Sequence, residues 1–380
     1  MNLEFSAEER ALQREVRQWL QANKPNFAPA LTHSREQTLA WEQTLAKQGW
    51  LVVNWPQEYG GPGWTATQRY IWDSECARAN VPGVSPFGVG MCAPVLMAFG
   101  TDEQKAEHLP HMANATRLWC QGYSEPGSGS DLASLKTRAV RDGDVYMVTG
   151  QKTWTTSAHI ADWMFALVRT SSDGRKQEGI SFVLIDMATP GIEVREIRTI
   201  DGEHHLNEVF FEDVPVPAQN LVGDEGRGWT VAKYLLGHER TSIARVPFCH
   251  SQLAELKTLQ EADPAQRGDT RISEDIAALE VDLLALEFTN LRALERAEGG
   301  KPPGAESSGL KIKGSELQQA LAEYRVEMGG DACLPWKAEA IGEQAYAVAV
   351  SAYNIGRAST IYGGSNEIQR NVLAKLALGA

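Results

Sequence analysis

The spacing of apolar and polar positions changes twice along the chain. Up to about residue 118 apolar residues recur every three or four positions, the period of amphipathic helices. Two of these helices should open on capping boxes, Ser6 with Glu9 and Thr101 with Gln104, whose side chains satisfy free backbone N–H groups. Between them Trp55–Gly63 (WPQEYGGPG) is too rich in Gly and Pro for helix. From 119 to about 223 the runs become strand-like. LKTRAV and VYMVTG flank a hairpin turn at Arg141-Asp-Gly-Asp144, and WMFALVR, GISFVLI, GIEVREI and NEVFF follow. Short strands without intervening helices predict a small antiparallel barrel or sandwich and argue against a doubly wound dinucleotide fold. From 224 the helical period returns. It predicts a long helix near 273–297, a linker at 298–308, helices near 308–328 and 339–357, and a short last helix after Gly363-Gly364. The expected fold is α+β and multidomain: an N-terminal helical domain (1–118), a central antiparallel β-barrel or sandwich (119–223) and a C-terminal helical bundle (224–380).

Charge narrows the chemistry. Against 49 acidic residues stand 36 basic ones, a formal charge of −13. That argues against nucleic acid, whose phosphates require a basic patch. At roughly 150 residues per domain the length predicts two or three domains. No apolar run approaches the ~18 residues of a membrane helix. The N-terminal segment, with Glu4, Glu8 and Glu9, has neither a signal core nor the character of a mitochondrial presequence. A cytoplasmic protein without membrane insertion is expected. Cys76, Cys92, Cys120, Cys249 and Cys333 are scattered and form no CxxC pair, so buried free thiols are expected rather than disulfides or zinc.

Motif by motif, the chemical signals are weak. Glu125–Asp131 (EPGSGSD) lacks the GK[ST] of a Walker loop and reads as a turn, or as backbone N–H groups able to cradle an anion. His204 and His205, with Glu208 nearby, do not form HExxH; a solvated turn before a strand is expected, and no metal. No GxSxG elbow occurs. Trp154, within Gln151–Thr156 (QKTWTT), reads as core when taken alone, although two hydroxyls beside an indole also suit a planar heterocycle.

In order and spacing, however, these strings resemble the acyl-CoA dehydrogenase family. Cys120–Asp131 (CQGYSEPGSGSD) resembles its first signature, QKTWTT its flavin-binding string, and Ile361–Arg370 (IYGGSNEIQR) its C-terminal signature. Pro56-x-x-Tyr-Gly-Gly61 and Gly100–Lys105 (GTDEQK) match further positions. The resemblance covers essentially the whole chain. It is similar in style to bacterial members of the kind of the pimeloyl-CoA dehydrogenase large subunit and the steroid side-chain enzymes, which the run Glu306–Lys313 (ESSGLKIK) also fits.

The resemblance implies FAD between the β domain and the bundle. Gln121 and Ser124 would bind it, Ser124 at the flavin pyrimidine. Trp154 would cover a flavin face, and Thr156 would approach N5. Ser130 and Arg240 would follow the CoA thioester arm. Gly329 and Gly330 would be offered to the FAD adenosine of another subunit, and Ser365 and Glu367 would reach the FAD phosphates or adenosine. The backbone N–H of Gly363 would donate to the thioester carbonyl as enolate charge develops.

Many members carry the catalytic glutamate at the position of Gly363. The isovaleryl and long-chain types carry it on an earlier helix in a Glu-Arg string, which Glu239-Arg240 matches. Glu239 is therefore the expected base for the α-proton, while the β-hydrogen leaves as hydride to the flavin and trans-2-enoyl-CoA forms. The family's Arg-x-x-Phe-Gly contact to a neighbour's FAD is missing; the region reads Glu261–Asp269 (EADPAQRGD). Another basic residue or a heteromeric partner would supply that contact. An electron-transfer flavoprotein is the expected electron acceptor. A homo-oligomer, dimer or tetramer, is expected, with a heteromer as the open alternative. Rival expectations are an acyl-CoA oxidase or flavin monooxygenase on the same fold, and a non-catalytic subunit of a heteromeric dehydrogenase.

Overall fold

The computed structural model describes residues 5–27, 33–239, 244–298, 304–334, 346 and 348–378. Helices come first: α1 (Ala7–Asn23), α2 (Arg35–Gln48), α3 (Ala66–Ala79), α4 (Ala93–Phe99) and α5 (Asp102–Ala113). The expected capping boxes open α1 and α5, and two more, Ser34 with Gln37 and Thr65 with Gln68, open α2 and α3. Each such cap stabilises its helix by about 1 kcal/mol. The apolar faces meet in a tryptophan cluster, with Trp50 edge-on to Trp19 at 5.2 Å and to Trp72 at 5.4 Å.

The strands are β1 (Trp119–Gly122), β2 (Arg138–Asp142), β3 (Val145–Thr156), β4 (Trp163–Arg169), β5 (Ile180–Asp186), β6 (Ile192–Arg198), β7 (His204–Pro217) and β8 (Leu221–Val222). Their order is β6-β7-β3-β2-β4-β5-β8, with β1 beside β4. Gly143, at φ +59, makes the β2–β3 turn. Most pairings are antiparallel, but β1 runs parallel to β4 and one residue of β2 pairs parallel with β4. The sheet is thus mixed, because β1 arrives from the helical domain in the direction of β4. β4 and β5 are buried on both faces, which is why they read as unbroken apolar runs. Phe165, Leu167, Phe182 and Leu184 pack on the helical domain. Met164, Ala166, Val168 and Val183 pack instead with Val209, Phe211 and Val214, so the sheet curls around a core of its own.

The bundle contains α6 (Gly228–Glu239), α7 (Val246–Ala262), α8 (Thr270–Glu298), α9 (Glu306–Gly329), α10 (Ala349–Gly356) and α11 (Asn366–Leu378). Leu253, Leu256, Leu283, Leu286, Leu317 and Leu321 form the core of α7, α8 and α9. α9 begins at Glu306, so the linker expected through 308 is shorter, and Ser307 and Ser308 are buried inside the helix. Of the helix expected at 339–357, residues 339–345 and 347 lie outside the described residues, and the remainder is helical from Ala349. Gly228 lets α6 start against β5: a Cβ there would meet the Ser181 carbonyl carbon at 2.5 Å and the Phe182 nitrogen at 2.7 Å. All five cysteines are free, four buried and Cys76 half-buried. No described helix is long and apolar enough to cross a membrane.

Candidate active site

β3 loses register with β7 between Lys152 and Thr155. In that irregular stretch Trp154 takes φ +58, a left-handed conformation costing roughly 1–2 kcal/mol for a residue with a side chain. Its indole is 60% exposed. The core reading of Trp154 is therefore wrong, because the break in register turns the ring outward. Ser124 lies beside it: the Thr153 N–H donates to the Ser124 carbonyl at 2.9 Å. Thr156 ends β3 opposite Leu206, and Gln121 lies in β1 opposite Phe165. An exposed indole on a strained backbone, flanked by half-buried serine and threonine hydroxyls, fits a flat heterocycle with a polar rim.

Beneath these segments lies a buried ionic network. Lys152 Nζ donates to Glu125 Oε1 at 2.8 Å, to the Leu167 carbonyl at 2.7 Å and to the Tyr123 carbonyl at 3.3 Å. Glu125 also accepts from the backbone N–H groups of Lys136 (2.6 Å) and Thr137 (2.9 Å). Burial pushes the Lys152 pKa down to about 8 against the attraction of Glu125. Burial works the other way on Glu125, but Lys152 and the donors outweigh it and hold its pKa below the usual range. The 2.8 Å approach and the two backbone donors to Glu125 favour the charged form of the pair. They lock Glu125, next to Ser124, to Lys152, two residues before Trp154. Sequence pattern does not pair Glu125 with Lys152; the available signal is a lysine inside a strand-forming run.

A second network holds the other side of the bulge. Asn207 Nδ2 donates to the Thr155 carbonyl at 2.9 Å and to His159 Nδ1 at 3.2 Å, and Asn207 Oδ1 accepts from His204 Nε2 at 2.7 Å. The His159 and His204 rings stack at 4.0 Å. His205 is buried against Asp201 at 2.7 Å. The expectation of a solvated turn at His204-His205 is corrected: both lie in β7, His205 is buried, and Asp201 supplies its partner.

The bundle contributes a separate group. Gly363 (φ +64) and Gly364 (φ +82) form a turn before α11. Among the described residues the Gly363 N–H meets no acceptor. Asn366, the first residue of α11, is held by Lys311 of α9 at 2.8 Å. The Ser365 hydroxyl accepts from the Ile368 N–H at 3.4 Å. Glu367 is exposed, and its own backbone N–H and Ser365 hold its carboxyl below the usual range. Gly329 and Gly330 end α9, 18 residues along from Lys311, or about 27 Å at 1.5 Å per residue. Ser130 lies exposed in the loop after β1, beside the Asp131–Lys176 pair. Glu239 is the last residue of α6, and nothing of its side chain is described; Arg240 lies outside the described residues. In the turn between α7 and α8, Arg267 Nε donates to the Glu261 carbonyl at 2.8 Å.

Comparison with known proteins bears on all three parts. Residues 6–116, 120–214 and 226–378 match the family models described as the N-terminal, middle and C-terminal domains of acyl-CoA dehydrogenase. Acyl-CoA dehydrogenase IpdE1 of Mycobacterium tuberculosis is 36% identical over 377 residues, covering 96% of each chain. The solved structure titled "Tcur3481-Tcur3483 steroid ACAD" has a TM-score of 0.91 at 29% identity and covers 100% of this chain and 99% of its own. The ChsE4-ChsE5 complex from Mycobacterium tuberculosis gives 0.87 at 30%, with the same coverage. Since the matches run in order from residue 6 to residue 378, and the bulge at Trp154 suits a flavin, the chain belongs to the acyl-CoA dehydrogenase family, FAD-dependent oxidoreductases that act on CH–CH groups.

Proposed function

We propose that the chain oxidises an acyl-CoA thioester to the trans-2-enoyl-CoA, with Glu239 as the base that removes the α-proton. The observation that carries this reading is the turn at Gly363. It offers a backbone N–H without a partner among the described residues, and it has no carboxylate. In this reading the N–H donates to the thioester carbonyl and stabilises the developing enolate. The proton acceptor then has to come from elsewhere, and α6 ends in Glu239.

When bound, FAD accepts the two electrons that leave with the β-hydrogen. Ser124, Gln121 and Thr156 would hold its ring edge, and Trp154 would cover one face and exclude water. Ser365 and Glu367 would reach its phosphates or adenosine, and Gly329 and Gly330 would complete the site of a second subunit. Ser130 and Arg240 hold the thioester arm.

The similar structures, a steroid ACAD and the ChsE4-ChsE5 complex, support a bulky acyl group and a heteromeric assembly for this chain too. An electron-transfer flavoprotein is the electron acceptor in this reading.

The test is stopped-flow bleaching of the flavin under anaerobic conditions, first across a panel of acyl-CoAs of differing length, branching and ring content. Glu239→Gln should retain FAD and bind acyl-CoA, yet reduce its flavin roughly 10²–10⁴ times more slowly, as when a general base is lost. Reduction at the parent rate would remove Glu239 from the base role.

A further inference from the structure

α9 carries a buried polar stripe. Ser308, Lys311 and Ser315 are all buried, at spacings of three and four that place them on one face of the helix. That face meets the start of α11. Lys311 Nζ donates to Asn366 Oδ1 at 2.8 Å, and the Ser315 hydroxyl donates to the same oxygen at 3.2 Å. The Ser308 hydroxyl donates to Gln369 Oε1 at 2.9 Å, and Gln369 Nε2 reaches the Gly363 carbonyl at 3.5 Å. Asn366 and Gln369 are themselves buried.

A fully buried ammonium is costly to desolvate, and here its acceptor is an amide oxygen rather than a carboxylate. A methionine would fill similar space without that cost. What the lysine provides is a hold on the first residue of α11, two positions past the turn. Gly363 and Gly364 have no side chains to anchor it, and both sit in the left-handed region that glycine adopts without steric cost.

We propose that Lys311 is a positioning residue for the thioester, its bond to Asn366 holding the Gly363 N–H toward the substrate carbonyl. This rests on the reading of Gly363 given above.

The test uses the FAD-loaded enzyme and two probes: the acyl-CoA that bleaches the flavin fastest in the panel, its affinity read from the concentration dependence of the stopped-flow bleaching, and its thioether, in which a methylene replaces the carbonyl, its affinity read from inhibition of that bleaching. The parent should bind the thioester about tenfold more tightly than the thioether. In Lys311→Met and in Asn366→Ala that preference should fall to within about threefold, with thioether affinity and FAD content unchanged. The double variant should be no worse than either single one, as for two halves of one contact. Asn366→Asp, which keeps the acceptor oxygen, should retain the preference. If Lys311→Met does not fold, the two Asn366 variants decide. A parent that discriminates, with Asn366→Ala discriminating equally, overturns the role of Lys311. A parent that does not discriminate overturns the reading of Gly363, and the proposal with it.

Discussion

Lys152 Nζ lies 2.8 Å from Glu125 Oε1, and the lysine side chain has no contact with solvent. The pair joins two chain segments that carry proposed flavin contacts, so its loss should be felt both in stability and in the cofactor. Lys152→Met leaves the carboxylate buried without its partner, which typically costs about 3–5 kcal/mol. Urea unfolding at pH 7 should show that loss. Adding Glu125→Gln should restore part of it, because an uncharged amide needs no counter-charge. A Lys152→Met protein as stable as the parent would show that the pair does not hold these segments.

Trp154 should separate folding from flavin binding. Its φ of +58 suits glycine better than any residue with a Cβ. Trp154→Gly should therefore be more stable than Trp154→Ala by on the order of 1 kcal/mol in the FAD-free chain. Both variants lose ring stacking of about 0.5–1.5 kcal/mol and should bind FAD more weakly. Calorimetric melting of the apo-chain and fluorescence titration with FAD measure the two effects independently. Equal melting temperatures for Gly and Ala would contradict the strained conformation.

Asn207 bonds to the Thr155 carbonyl and two histidines from a fully buried site. Asn207→Leu leaves that carbonyl short of a donor, at a cost of about 1–3 kcal/mol. FAD should dissociate faster from this variant, since Thr155 stands between Trp154 and Thr156. An unchanged FAD off-rate would confine Asn207 to the core.

Glu42 of α2 gives a pH signature. It is buried and accepts the Ser85 N–H at 2.6 Å, and burial lifts its pKa from 4.5 to about 7. A raised folded-state pKa means that the folded protein holds the proton more tightly. Its contribution to stability is complete below pH 4.5 and is lost as the pH rises through about 7. Glu42→Gln, which keeps the acceptor, should match the parent near pH 4.5 and exceed it at pH 8 by up to about 3 kcal/mol. Parallel pH profiles for the two proteins would rule out a raised pKa for Glu42.

Much of the architecture follows from local pattern. WMFALVR reads as a strand because burial on both faces demands unbroken apolar residues, and its bounds are those of β4. Arg141–Asp144 reads as a turn because Gly143 supplies a positive φ. What local pattern misses depends on specific partners, most of them distant in sequence. The outward turn of Trp154 arises from its register with β7, a strand some 50 residues away. His205 is buried because of Asp201, while adjacent histidines read as solvated. Lys152 and Lys311 are lysines, a residue type that usually marks surface, and only the carbonyls, amide and carboxylate brought in by other elements explain their burial.

Helix α9 has an arithmetic of its own. Lys311 and Gly329 are 18 residues apart, and at 100° per residue that is five complete turns, so both leave the helix on the same side. One residue inserted or deleted between them would shift their separation by only about 1.5 Å but swing one end about 100° away from the other. If both proposed roles hold, the length of α9 between these points is fixed in phase. On those roles, a single-residue insertion or deletion would uncouple the hold on α11 from the glycine pair at the far end, and an insertion of about 18 residues would be needed to restore both the direction and a whole number of turns.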